Sequence, residues 1–135
     1  MSDVEFVADQ MCFACGRDNP FGLHLTFRDE GDMSVTTFVS VAAHQGYKGI
    51  VHGGLMATVL DEVMVRFVWQ KYGSAATAKL EVRYRHPAPT ETPIEVRGWI
   101  TAVRHGGRAF ETAAEARLAD GTVLAEATGL AIRLP

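Results

Sequence analysis

The stretch from Gly49 to Tyr72 constrains the fold of this chain more than any other. It contains no proline, and no glycine after Gly54. Gly53 and Gly54 stand where the first backbone N–H groups of a helix have no partner within the helix. Apolar residues then recur at the three-and-four spacing of one helix face: Met56, Val59, Leu60, Val63, Met64 and Phe67. The sequence therefore predicts a buried helix whose start suits an oxyanion or a phosphate.

One acidic residue does not fit this apolar helix. At about 100° per residue, Asp61 falls on the apolar side, near Met64 and Val68. A carboxylate in such a place is costly unless it is hydrogen-bonded or opens into a cleft, and it is a candidate for chemistry. The alternative is that Asp61 only hydrogen-bonds a nearby backbone or hydroxyl group. Glu62 falls on the polar arc, where we expect a surface ion pair with Arg66.

Three motifs in the chain point to one family. His52-Gly53-Gly54, separated by six residues from Asp61-Glu62, resembles the signature of hotdog-fold acyl-CoA thioesterases of the phenylacetate-pathway type. The segment 12–23, with its C-x-x-C-G run, and the segment 84–89 resemble the same group in the expected order. The resemblance covers most of the chain. It implies an α+β hotdog fold, in which an antiparallel sheet of about six strands wraps around one long central helix.

Strand patterns surround the helix in an order that agrees with this fold. Before it, Leu23–Phe27 and Met33–Val41 are predicted to form a hairpin around a turn at residues 29–32. After it, a half-exposed strand near residues 79–85 is followed by three more at 94–103, 109–118 and 122–134. Two strands, one long helix and four strands indicate an α+β domain.

Composition is that of one soluble domain over residues 1–135, with 47% apolar and 21% charged residues. The net charge of −3 argues against a nucleic-acid binder. No apolar run approaches the length needed to cross a membrane, so no membrane partner is expected. The acidic start, Met1 to Glu5, lacks the basic residues that open a secretory signal. The sequence therefore predicts a cytoplasmic protein.

Cys12 and Cys15 are the two cysteines of the chain. A C-x-x-C pair is typical of half a zinc site, a redox pair or a tight turn. Zinc would need two more ligands, for which His24, His44 and His52 are the donors nearby. A redox site would want a helix at the pair, whereas the sequence after Gly16 reads as a loop. The sequence favours structural thiols, with no metal and no disulfide.

The resemblance implies a mechanism for thioester hydrolysis. The backbone N–H of Gly53 would stabilise the oxyanion, with help from Gly54. Asp61 would act as general base or as nucleophile, and the sequence leaves both routes open. Gly53 and Asp61 are about 12 Å apart along one helix. The resemblance therefore implies a homodimer, alone or within a homotetramer, in which Gly53 of one subunit faces Asp61 of the other.

Two further positions matter if the resemblance holds. Thr77 aligns with a Ser or Thr that positions water or the nucleophile in related enzymes. Strict alternation would put Thr77 on the face of Lys79 rather than Leu80, and either a bulge or a site opening on that face would reconcile this. Some relatives carry an Asn or Gln six residues before the histidine. Here that position is Gly46, with Gln45 beside it as a substitute.

His52 could act as a base or could orient the helix start by hydrogen bonding. We favour the second role, because Asp61 already supplies a base.

Coenzyme A needs cations for its phosphates, and residues 79–108 hold six basic residues against three acidic ones. The basic residues nearest to strand ends and turns are the first candidates for binding it: Arg85, His86, Arg104 and Arg108. The alternative for each is a solvated strand face. Met56, Leu60 and Met64 are the candidates for lining the acyl pocket, although they are first of all core residues.

The sequence thus predicts an acyl-CoA thioesterase that needs no cofactor beyond the coenzyme A of its substrate. Two other functions stay open. A hotdog dehydratase of 3-hydroxyacyl thioesters would depend on a histidine base, and a non-catalytic acyl-CoA binding module would turn nothing over. The sequence specifies neither the acyl chain nor whether coenzyme A or an acyl-carrier protein delivers it.

Overall fold

The central element of the computed structural model, which describes residues 5–135, is the helix α1, Gly53–Tyr72. His52 is its N-cap residue. Gly73 ends it with a φ of 98°, a left-handed conformation that glycine adopts without strain, and its N–H donates to the carbonyl of Trp69. The buried face holds the predicted apolar residues together with Val68. The predicted helix is confirmed, and it begins at the glycines.

Residues 5–135 contain eight strands: β1 Arg28–Glu30, β2 Met33–Phe38, β3 Gln45–Tyr47, β4 Ile50–Val51, β5 Ala75–Tyr84, β6 Ile94–Arg104, β7 Ala109–Arg117 and β8 Val123–Arg133. Six of them form one antiparallel sheet in the order β1-β2-β6-β7-β8-β5. The hairpin of β3 and β4 stands apart and delivers the chain to α1. One long helix on a six-stranded antiparallel sheet is the hotdog arrangement that the resemblance implied.

The helix lies close against the middle of the sheet. It contacts β2, β5, β6, β7 and β8. A Cβ atom at Gly98 of β6 would come within 2.8 Å of the backbone of Val63, so only glycine allows this approach. Val63, Leu60 and Ile94 are completely buried in the resulting core. The apolar stripe read from the sequence is thus the surface that the sheet covers.

Two of the predicted elements before the helix are wrong in detail. Leu23–Phe27 is not a strand, because His24 takes a left-handed φ of 52° and breaks the extended run. Pairing begins at Arg28, and β1 continues through Glu30 into the predicted turn, while the returning strand ends at Phe38 rather than at Val41. Alternating hydrophobicity could not show where the hydrogen-bonded ladder begins.

No helix within residues 5–135 is long and apolar enough to span a bilayer. The prediction that the acidic start is not a secretory signal concerns Met1 to Glu5. Of these residues, Met1 to Val4 lie outside the described part of the chain.

Candidate active site

The start of α1 leaves one backbone donor free. The ring nitrogen Nδ1 of His52 accepts the N–H of Gly54 at 2.9 Å, and the carbonyl of His52 accepts the N–H groups of Leu55 and Met56. Within residues 5–135 the N–H of Gly53 makes no hydrogen bond. Gly53 can therefore donate to a bound oxyanion, whereas the predicted second donor, Gly54, is already engaged.

His52 caps the helix through its ring. Because its Nδ1 lone pair accepts the N–H of Gly54, the ring proton of the neutral imidazole lies on Nε2. A Cβ atom at Gly46 would lie 3.4 Å from Cδ2 of His52, so the ring packs over the position where some relatives carry Asn or Gln. Gln45 accepts the N–H of Gly49 through its Oε1 and closes the loop there. In this structure its amide oxygen therefore stabilises the loop before α1.

A cavity of about 410 Å³ opens beside Gly53, large enough for a small ligand. Its walls are mostly apolar and include Met56, which is buried, as the sequence predicted. Tyr84 also lines it, and the Tyr84 hydroxyl donates to the carbonyl of Gly53 at 2.5 Å. Partial burial raises the pKa of Tyr84. Leu60 and Met64 lie in the core and do not line this cavity.

The predicted basic residues divide into two groups. Arg85 and His86 line the cavity beside Gly53 and are exposed. Arg104 and Arg108 lie at the β6–β7 turn. That turn is at the other end of α1, because Phe110 on β7 packs its ring against that of Tyr72. One chain therefore does not bring Arg104 and Arg108 to the site at Gly53.

Asp61 is held by a hydroxyl from the sheet. Oγ1 of Thr77 donates to Oδ1 of Asp61 at 2.6 Å. The side chain of Asp61 is partly exposed, and its Oδ2 makes no hydrogen bond with the part of the chain that the structure describes. The hydrogen bond to a hydroxyl that was the alternative for Asp61 is therefore present. It occupies one carboxylate oxygen and leaves the other available.

A β-bulge brings Thr77 to this position. The pairing of β5 with β8 shifts its register between Thr77 and Lys79, so that Ala78 is an extra residue. Thr77 thereby moves to the face of Leu80, which is the face turned towards α1. Strict alternation gave the wrong parity, and the bulge considered from the sequence is the feature that corrects it.

Glu62 is the acidic residue that sequence reasoning misjudged. The expected ion pair between Glu62 and Arg66 does not form, because the Arg66 guanidinium lies over the ring of Phe27, 4.7 Å from its centre. Burial raises the pKa of Glu62. Burial and the adjacent Glu62 carboxylate raise the pKa of the Cys15 thiol to about 12. The helical pattern places Glu62 on the outer face of α1. It does not show that the segment with Cys12 and Cys15 packs against that face.

Comparisons with known proteins agree with this architecture. The family model of the thioesterase superfamily matches residues 48–125. Acyl-coenzyme A thioesterase THEM4 of Bos taurus is 29% identical over 134 residues, which are 98% of this chain and 55% of that protein. The chain spans 38% to 55% of the length of the curated relatives it matches.

Solved structures share the fold. The crystal structure of the thioesterase superfamily protein RHA08564 has a TM-score of 0.84 at 29% identity, over 91% of this chain and 60% of that one. The PaaI protein from the phenylacetic acid degradation operon of E. coli has a TM-score of 0.76 at 13% identity, over 84% of this chain and 81% of that one. The fold is that of the hotdog proteins. This chain belongs to the thioesterase superfamily.

Proposed function

We propose that this chain hydrolyses acyl-CoA thioesters in a homodimer whose active sites each combine Gly53 of one protomer with Asp61 of its partner. The observation that carries the proposal is the free N–H of Gly53, which opens on an apolar cavity lined also by Arg85 and His86. The superfamily and the name of the THEM4 relative support the same reaction.

The Gly53 half of the site suits the thioester and its carrier. The apolar wall formed with Met56 and Tyr84 takes the acyl group, and Arg85 and His86 take the negatively charged carrier. As water adds to the carbonyl carbon, the negative charge on its oxygen is met by the Gly53 N–H at the positive end of α1. The C–S bond then breaks, and the thiolate of coenzyme A leaves.

The Asp61 half of the site supplies the attacking group. Thr77 fixes Oδ1, and the free Oδ2 either takes a proton from the attacking water or attacks the carbonyl itself to give a mixed anhydride, which water then opens. Both routes use the same atom. Thr77 is a positioning residue in this scheme.

A homodimer reconciles the two halves, which lie about 12 Å apart along α1. Within residues 5–135, β5 pairs on one side only, with β8, and so forms an edge of the sheet. It carries exposed apolar side chains, with Leu80 at 37% and Tyr84 at 52% exposure. A long edge strand of this kind is stabilised by pairing with another strand. Asp61 lies beside this edge, because it is hydrogen-bonded to Thr77 of β5. A second copy of the chain that pairs with β5 would therefore lie close to Asp61.

The dehydratase alternative is weakened by the capping role of His52. A histidine base needs a free ring nitrogen lone pair, and the Nδ1 lone pair accepts the N–H of Gly54. The non-catalytic alternative is a module that would bind acyl-CoA at the same site but would not hydrolyse it.

We therefore expect thiol release from a panel of aromatic, short-chain and medium-chain acyl-CoA esters. The free thiol is followed with a chromogenic disulfide, and binding of each ester is measured in parallel by calorimetry. Hydrolysis of any ester supports the proposal. Tight binding across the panel without release of thiol would establish the binding module instead. Dehydration of a 3-hydroxyacyl ester without hydrolysis would establish the dehydratase.

A mixed dimer tests whether each site is shared. Asp61→Asn and Gly53→Pro chains are co-expressed with two different affinity tags, and the mixed dimer is isolated over both resins. Because one of its two sites holds both intact residues and the other holds neither, we expect about half of the wild-type activity. Activity as low as that of either pure variant would place Gly53 and Asp61 of one chain in the same site.

A further inference from the structure

We propose that Cys12, Cys15 and Glu62 form a three-ligand site for a zinc ion, separate from Gly53 and Asp61. Their two sulfur atoms and one carboxylate oxygen lie within 4.8 Å of one another. Tetrahedral zinc bound at the usual Zn–S and Zn–O lengths separates such donors by about 3.5–3.8 Å. Each donor therefore needs to move by an ångström or less to bind a common ion.

The two thiols are presented by a turn that the rest of the chain holds in place. The N–H of Gly16 donates to the carbonyl of Cys12 at 2.8 Å, and a Cβ atom at Gly16 would come within 2.4 Å of the backbone nitrogen of Cys12. Ala14, between the cysteines, is only 3% exposed, and its carbonyl accepts the N–H of Leu25. The thiols are thus positioned before any ion arrives, which lowers the cost of binding one.

The charge at Glu62 favours a cation. No Lys or Arg nitrogen of residues 5–135 lies within 4 Å of its carboxylate. The nearest candidate along the helix, Arg66, stacks on Phe27. Arg66 attracts the Glu62 carboxylate from a distance but forms no ion pair with it, and a partly buried carboxylate without a cation in contact is costly. Two thiolates and one carboxylate suit zinc, whereas magnesium and calcium prefer sets made of oxygen alone.

The surroundings leave a fourth position for water or another ligand. The three donors line a cavity of about 410 Å³ whose charged residues also include Asp9 and Arg66. The histidines considered from the sequence take no part, since His24 contacts the carbonyl of Asn19 and His44 accepts the N–H of Val41. The C-x-x-C spacing favoured structural thiols only because the third donor comes from α1, far along the chain.

Metal binding is tested on the reduced, tag-free protein, stripped of metal with a chelator. Titration with Co²⁺ should give the visible bands of a tetrahedral site and thiolate charge-transfer bands, and Zn²⁺ should displace it at about one ion per chain. We expect Cys12→Ser/Cys15→Ser to abolish both signals and Glu62→Gln to weaken binding by about tenfold or more. Asp18→Asn, which removes an exposed carboxylate outside the cluster, should bind as wild type does.

Circular dichroism of each variant establishes that the fold is retained. Absence of the cobalt signals in the reduced wild-type protein would overturn the proposal. Binding that survives in Cys12→Ser/Cys15→Ser would place the metal elsewhere and overturn it as well. A Cys12–Cys15 disulfide that forms in place of metal uptake, seen by mass spectrometry, would show a redox pair instead. None of these readouts depends on thioester hydrolysis.

Discussion

Asp61→Asn should lower kcat for acyl-CoA hydrolysis by about 10²–10⁴-fold, the range of a lost general base. The amide oxygen of asparagine still accepts the hydrogen bond from Thr77, so the side chain keeps its place and only its basicity is lost. The KM for the ester should change little, because asparagine keeps the size of Asp61 and the cavity beside Gly53 that holds the ester is unchanged. Steady-state thiol release across an ester concentration series measures both constants.

The matched control is Asp32→Asn, which removes a carboxylate from the exposed turn between β1 and β2. It should leave kcat unchanged. If Asp61→Asn hydrolyses esters as fast as wild type, another group activates the water and the assignment of Asp61 is wrong. Single-turnover hydrolysis in ¹⁸O-water distinguishes the two routes, because a mixed anhydride opened at the side-chain carbonyl leaves the label in Asp61, whereas a general base leaves it in the product alone.

The helix and its start could be predicted because both depend on local chemistry. Two adjacent glycines followed by an apolar stripe specify where a helix begins and which face the sheet covers, and Gly53 and Val63 lie where that pattern puts them. The long strands β6, β7 and β8 were predicted from alternating side chains, and their bounds differ from the prediction by no more than one residue at each end. In β5, which is about as long, the period-two pattern gave the wrong start, because β5 begins at Ala75 and carries a bulge at Ala78.

The candidate site was harder to predict because it depends on contacts between distant segments. The hydrogen bond from Thr77 to Asp61 needs a bulge that places one extra residue in β5. No residue type in β5 indicates that bulge in the sequence. The helical pattern predicted a solvent-facing arc at Glu62, whereas Cys12 and Cys15 lie beside it in the folded chain. Hydrophobic periodicity describes a single helix or strand. It does not show which distant segment packs against the outer face of α1.

Gly53→Pro should lower kcat by about 10²–10³-fold, the usual cost of one oxyanion donor. Gly53 is the first residue of α1, where proline is tolerated because the N–H it removes has no partner within the helix. His52 already has a φ of −57° and a ψ of 132°, an extended conformation that suits a residue before proline. The variant therefore deletes one hydrogen-bond donor and leaves the helix in place, which thermal unfolding can verify.

Gly53→Ala is the matched control, since it adds a Cβ atom to the same wall but keeps the N–H. That atom would lie 3.5 Å from the Tyr84 ring, an ordinary contact, and Gly53 does not need a left-handed φ. Its kcat should stay within about tenfold of wild type. Equal losses in the two variants would mean that crowding of the cavity, not the N–H, explains the effect. A fully active Gly53→Pro would move the oxyanion donor elsewhere, since the N–H of Gly54 is held by His52.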